Sequence, residues 1–315
     1  MLMSRRFALG AAMVAAVGAS RRVGAASMLF RPGGRPLGIN LYMLGADYTK
    51  DIDGTLQAVA AIGYREVETN FDVFSPAQTK AALLRAGLRC TNISVLADPI
   101  RASLSLRSDA GILADGAHTV GAEYITCNLF PLPDGVKMRP LAGESVEQML
   151  ARVTGSVTAD DWRRSADYFN AKGAEFKRHG IKFAYHNHNA EFAAHGDTNG
   201  LAILLEHTDP ALVHFEMDMG WVVSAGHDPV EILKAYPGRF AMTHIKDVAR
   251  SYHPNTALKA DMTEVGSGVI DWKRVIDAAL VAGVRHFNVE QDPPYALPRI
   301  EAARKSFNYL RSLEI

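Results

Sequence analysis

The chain has 315 residues, 48% of them hydrophobic, and its 34 basic and 34 acidic side chains balance to zero formal charge. That excludes a disordered polypeptide and supplies core material for one large domain or two small ones. It also argues against a nucleic-acid substrate, because no basic stripe interleaved with aromatics offers a footprint for a phosphate backbone.

The chain opens MLMSRRFALGAAMVAAVGASRRVGAAS. Arg5 and Arg6, after Ser4 and before Phe7 and Leu9, resemble a twin-arginine export signal. The apolar stretch from Phe7 to Ala19 is shorter than the about 20 residues of a spanning helix, so it reads as a signal h-region and not as a stable membrane anchor. Gly24, Ala25 and Ala26 offer a cleavage site before Ser27. Residues 1–26 are thus expected to be an export signal and the mature protein to be periplasmic.

From residue 35 onward a weak repeat recurs, in which a helical pattern stops at a glycine and a short apolar strand follows. It occurs as AAIGYREVE, LRAGLRCTNI, TVGAEYITC, KRHGIKFAY, YPGRFAMTHI and VAGVRHFNVE, with Gly63, Gly87, Gly121, Gly180, Gly238 and Gly283 as the stops. PLGINLYML and LVHFEMDM bring the strands to eight. Helices are expected over 55–62, 76–86, 109–120, 162–179, 200–207, 229–235, 272–282 and 299–313. Strands alternating with helices at this spacing imply parallel pairing. The expected fold is α/β, a single (β/α)8 TIM barrel over 35–315. An open doubly wound sheet is the competing reading, weakened by the lack of a glycine-rich phosphate fingerprint after the first strand.

Two connections, Asn128 to Ala159 and Lys246 to Ile270, are longer than a barrel requires. Both follow strands, which puts them on the face where barrel active sites lie. Cys90 and Cys127 fall on predicted strands and read as buried thiols, able to pair only if those strands are adjacent and the geometry allows it.

The chemistry concentrates at strand ends. FEMDMGW, MTHIKD and FNVEQD end in Asp218, His244 and Glu290, and KFAYHNH ends in His186 and His188. Side chains of this type converging on one rim suit a divalent cation; mixed N and O donors favour Mn, Co, Zn or Fe over Ca or Mg, with manganese the first choice. Strand alternation points His186 and His188 to one side, so that one could ligate metal while the other reaches substrate.

These motifs carry a resemblance. YHNH at Tyr185–His188, D-x-G-W at Asp218–Trp221, GHDPVE at Gly226–Glu231, HIKD at His244–Asp247, the VGxGxIDW stretch at Val265–Trp272 and VEQD at Val289–Asp292 are similar to a subgroup of the sugar phosphate isomerase/epimerase family, the xylose isomerase-like barrels. The motifs cover the second half densely and the first half only through the fold. The resemblance implies metal ligation by Asp218, His244 and Glu290, with the strand-five position as the fourth ligand. In epimerase relatives that position is a glutamate, paired with the strand-eight glutamate to shuttle a proton between substrate faces; here His186 stands there.

A metal gripping a carbonyl oxygen and a neighbouring hydroxyl acidifies the adjacent C–H. His188 is the first candidate for the base and Glu290 the second. Lys246 is expected either to protonate a departing oxygen or to pair with Asp247 or Glu264. Trp221 could platform a sugar ring or simply pack; Glu68 and Asn92 are expected to hydrogen-bond substrate hydroxyls. The missing shuttle glutamate and the export signal favour a lyase or hydratase of 3-keto glycosides, a chemistry the resemblance includes. A ketose or aldose isomerase or epimerase is the alternative, and an exported, non-catalytic sugar-binding protein the alternative from another class. The expected partner is a small carbohydrate; self-association is left open.

Overall fold

Eight parallel strands close on themselves in the computed structural model, which describes residues 29–30, 33–99, 104–259 and 261–315. They are β1 (Gly38–Asn40), β2 (Glu66–Asn70), β3 (Arg89–Val95), β4 (Tyr124–Cys127), β5 (Lys182–His186), β6 (Val213–Asp218), β7 (Phe240–Ile245) and β8 (His286–Val289). Each bonds to its neighbour in the chain, and β8 bonds back to β1. The closure settles the choice between barrel and open sheet. The expected export segment lies outside the described residues.

Helices form where the apolar spacing places them. Pro76–Ala86, Gly200–His207, Pro229–Ala235 and Trp272–Ala282 keep their expected bounds, while Ala159–Arg178 begins before Trp162 because Thr158 and Asp161 cap each other reciprocally. The six helix-stopping glycines all have positive φ. One helix, Val146–Gly155, lies inside the first long connection, where no helix was expected. It buries just Met149 and Val153 and is started by a capping box between Ser145 and Gln148.

Outward-facing strand residues such as Ile39, Val67, Ile93, Ile125, Phe183 and Phe287 pack with Leu56, Leu113, Phe169 and Ile276 of the helices in one core. Each such burial contributes about 1.5–3 kcal/mol. The barrel interior is different: besides a small cluster of Tyr124, Ala184, Ala241 and Met242, it holds Glu66, Glu68, Asn92, Thr126, Glu216 and Asn288, all buried. Burying so many polar groups is costly unless they satisfy one another, and that requirement shapes the site above them.

The pairing register shifts twice, between Val67 and Glu68 against β3 and between Phe215 and Glu216 against β7. A bulge re-aims the side chains next to it. Both shifts fall immediately before a buried glutamate. Cys90 and Cys127 do lie on adjacent strands, but Cys127 stands opposite Val95, and both thiols are free and buried.

Candidate metal centre

Local sequence explains how each donor reaches the rim. Asp218 ends β6 and caps the short helix Met219–Ser224, its Oδ1 accepting from the Trp221 N–H at 2.9 Å. That leaves Oδ2 for the centre. Gly220 is required because a Cβ there would stand 2.7 Å from the Lys246 carbonyl and 2.8 Å from its Cγ. Asn187 joins β5 to β6, its Oδ1 accepting from the Asp218 N–H at 3.2 Å, and so sets His186 beside Asp218. Glu290 follows β8 and stays in line by donating its N–H to the Ile245 carbonyl.

His186, Asp218 and His244 converge, with one ligand atom of each lying within 4.8 Å of the others. His186 Nε2 is 3.8 Å and His244 Nδ1 3.6 Å from Asp218 Oδ2. Glu290 Oε2 closes the group at 2.7 Å from His244 Nδ1. His186 Nδ1, Asp218 Oδ2 and His244 Nδ1 are buried without a well-directed hydrogen bond and have only ion-pair neighbours, Glu216, Lys246 and Glu290 respectively. Converging buried donor atoms of this kind, in a set of two imidazoles and two carboxylates, fit a divalent cation of the imidazole-accepting kind.

Below lies a floor that the sequence reading did not assign to the centre. Glu68 Oε2 is 2.5 Å and Glu216 Oε2 3.4 Å from His244 Nε2, and Glu216 Oε2 is also 3.4 Å from His186 Nδ1. Asn92 Nδ2 donates to Thr126 Oγ1 and, more weakly, to Glu216 Oε1. Glu216 was missed as a site residue although it shares a strand face with Asp218, two residues on; that parity was the available signal.

Lys246 lies buried among three carboxylates: Asp218 Oδ2 at 2.8 Å, Glu290 Oε2 at 3.0 Å and Asp292 Oδ2 at 2.7 Å. Its expected partner Asp247 is engaged elsewhere, and Glu264 pairs with Lys305. Asp247 accepts from the N–H groups of Val248, Gly266, Gly268 and Ile270 and from Trp272 Nε1. The VGxGxIDW stretch is thereby a collar around one carboxylate. Gly268 has no alternative, since a Cβ would come within 2.2 Å of Asp247 Oδ1.

The electrostatics follow from this packing. Burial pushes the His186 pKa well below its ordinary value, and the nearby His244, His188 and Lys246 act in the same direction. It is therefore a neutral imidazole, the ligating form. Burial also opposes charge on His244, but Glu216, Glu68 and Glu290 outweigh it and raise its pKa well above normal. Burial raises Glu216, helped by Glu68, while for Glu290 the Lys246 and His244 charges overcome burial and lower the pKa. Burial likewise disfavours charged Lys246, yet Asp218, Asp292 and Glu290 prevail and keep it an ammonium.

Above the centre opens a cavity of about 370 Å³ whose walls include Asn40, Asn70, Asn128, His186, His188, Lys246, Glu290 and Asp292. Its polar wall suits a polyhydroxylated ligand. His188 lines it with Nδ1 unpaired, although β5 ends at His186 and the strand alternation stops there. Glu68 and Asn92, expected to hydrogen-bond substrate hydroxyls, are fully buried in the floor and are not part of the cavity wall. Trp221 is buried beside it, 5.3 Å from the His188 ring and 5.3 Å from Lys246 Nζ, and forms no part of its wall.

A closed parallel barrel with a His and carboxylate centre at the C-terminal ends of its strands defines a class of rim-site barrel. Residues 56–313 match the model of the xylose isomerase-like TIM barrel family, and the chain belongs to that family. Among curated relatives, inosose dehydratase of Clostridium perfringens is 30% identical over 165 residues, covering 48% of this chain and 54% of that protein. The chain thus spans about half the length of such relatives in these matches, but inosose dehydratase of Geobacillus kaustophilus, 27% identical over 274 residues, is matched over 81% of this chain and 84% of its own length. Among solved structures, a sugar phosphate isomerase/epimerase from Parabacteroides distasonis superposes with a TM-score of 0.70 at 22% identity, covering 91% of this chain and 97% of that one, a likeness of fold.

Proposed function

We propose that this chain is a divalent-metal-dependent carbon–oxygen lyase acting on 3-keto glycosides, exported by the twin-arginine route to the periplasm. The observation carrying this reading is the pairing of His188 and Lys246 in one cavity wall, with a histidine, His186, at the strand-five position where an epimerase shuttle needs a second glutamate. The relatives named inosose dehydratases, enzymes that by name remove water, favour elimination over isomerisation.

His186, Asp218, His244 and Glu290 would hold the cation. When bound, it supplies positive charge that acidifies the C–H beside a carbonyl. His188, with a buried and unpaired Nδ1, removes the C2 proton. The electron pair of the C2–H bond becomes the C1=C2 double bond, and the C1–O pair leaves with the aglycone oxygen. Lys246, held as an ammonium, gives that oxygen its proton. Glycoside becomes a conjugated enone plus an alcohol, with no change in oxidation level. The Asn side chains of the wall orient ring hydroxyls.

The test is incubation of manganese-loaded protein with methyl 3-keto-β-glucoside. Equal amounts of methanol and enone support the reading. An interconverted sugar without methanol points to an isomerase, and unchanged sugar that still binds points to a binding protein.

A further inference from the structure

The two long connections do more than border the cavity. Lys259 of the second donates to Glu147 of the first at 2.9 Å, clasping them together. Asn189, fully buried just past β5, anchors the second connection: its Nδ2 donates to the carbonyls of Asn255 and Lys259, and its Oδ1 accepts from the Leu258 N–H. Leu258 is held there at a φ of 55°, the one non-glycine with positive φ among the described residues. Under the clasp lies a second cleft of about 430 Å³, with Val146, Leu150, Trp221, Leu258 and Pro293 in its walls. Asp292, the acceptor of Lys246, borders both this cleft and the sugar cavity.

The relation of the two spaces has a chemical meaning. Asp292 and Trp221 flank the Lys246 ammonium on the cleft side, so the oxygen that takes its proton carries its substituent toward the cleft. Val146 is 63% exposed although it is a large apolar residue, next to the exposed Glu147 and Gln148 of the same helix. Walls that are mostly apolar, apart from the Glu147–Lys259 pair and Asp292, and that share Asp292 with a polar cavity suit a ligand that is polar at one end and apolar at the other.

We infer that this cleft is the leaving-group subsite and takes an apolar, ring-sized aglycone, so that the substrates are glycosides of hydrophobic alcohols or phenols. The inference rests on the lyase reading for the direction of departure. Val146 and Leu150 set specificity.

The test compares 2-phenylethyl with ethyl 3-keto-β-glucoside, whose leaving alcohols have nearly equal acidity, on the manganese-loaded full chain. Wild type favours the phenylethyl compound in kcat/KM by about tenfold or more, the scale expected for seating an apolar group of that size. Val146→Asp, at an exposed position, and Leu150→Asn each bring the ratio down to about threefold or less, within the discrimination left to a partly wetted pocket. A wild-type ratio near one, or a ratio unmoved by both variants, overturns the subsite while leaving the lyase standing. If neither compound is eliminated, the lyase reading falls, and dissociation constants of the same two glycosides decide the subsite alone: the same preference, lost in the variants, supports it, and equal affinities overturn it.

Discussion

Glu68 Oε2 stands 2.5 Å from His244 Nε2, although 176 residues separate them in the chain. With Nε2–H donating downward to this carboxylate, the His244 Nδ1 is the ring atom turned to Asp218 and Glu290. Glu68 is therefore a positioning residue that sets which nitrogen faces a cation. Partners of this kind are worth about 10–100-fold in metal affinity. Glu68→Gln is expected to weaken manganese binding by about that factor, read by calorimetry on the folded variant. Unaltered affinity would remove Glu68 from the account.

Lys246 places the one positive charge of its ammonium among Asp218, Glu290 and Asp292. Removing one partner from a buried charge group costs about 3–5 kcal/mol, because the others are left uncompensated. Lys246→Met should lower the urea-unfolding free energy by about that amount when both proteins are measured in chelator. A loss below about 1 kcal/mol would mean that water, not the lysine, screens these carboxylates.

Asp247 satisfies five buried or partly buried donors, four of them main-chain. Leaving such donors without an acceptor costs about 1–3 kcal/mol each. Asp247→Ala is expected to destabilise the fold by at least about 3 kcal/mol and to open the segment Val265–Trp272 to hydrogen exchange. An exchange pattern like that of the wild type would show that the collar holds without its centre.

Burial pushes the Cys127 thiol up to about 12, and Cys90 higher still. A raised pKa means that the reactive thiolate is scarce at neutral and mildly alkaline pH. Neither cysteine should react with a thiol reagent at pH 8 until the chain unfolds, when both should. Fast labelling of the folded protein at either site would contradict the buried placement.

Six of the eight strands were legible because each is announced by a glycine that stops the helix before it, a local signal. The donors Asp218, His244 and Glu290 were legible for a related reason, since each ends an apolar run. What stayed hidden depends on closure. Lys246 meets Asp292 and Glu290 only because β7 lies beside β8 in the barrel. Glu68 reaches His244 across the interior, a contact between residues far apart in the chain that no local pattern announces. Asp247 looked like a partner for its neighbour Lys246, but successive residues point apart, and its carboxylate turns to the glycine collar. The Val146–Gly155 helix was hidden by its polar composition, its start being marked only by Ser145 and Gln148.

The central claim is that the centre built by His186, Asp218, His244 and Glu290, with His188 beside it, makes the C2 proton of a 3-keto glycoside labile. Proton NMR of methyl 3-keto-β-glucoside in deuterium oxide reads that proton directly. With manganese-loaded protein the C2 signal should disappear as enone forms or solvent deuterium enters, and chelator or His188→Gln should preserve it. A C2 signal that stays intact with the fully loaded wild-type protein would contradict the account.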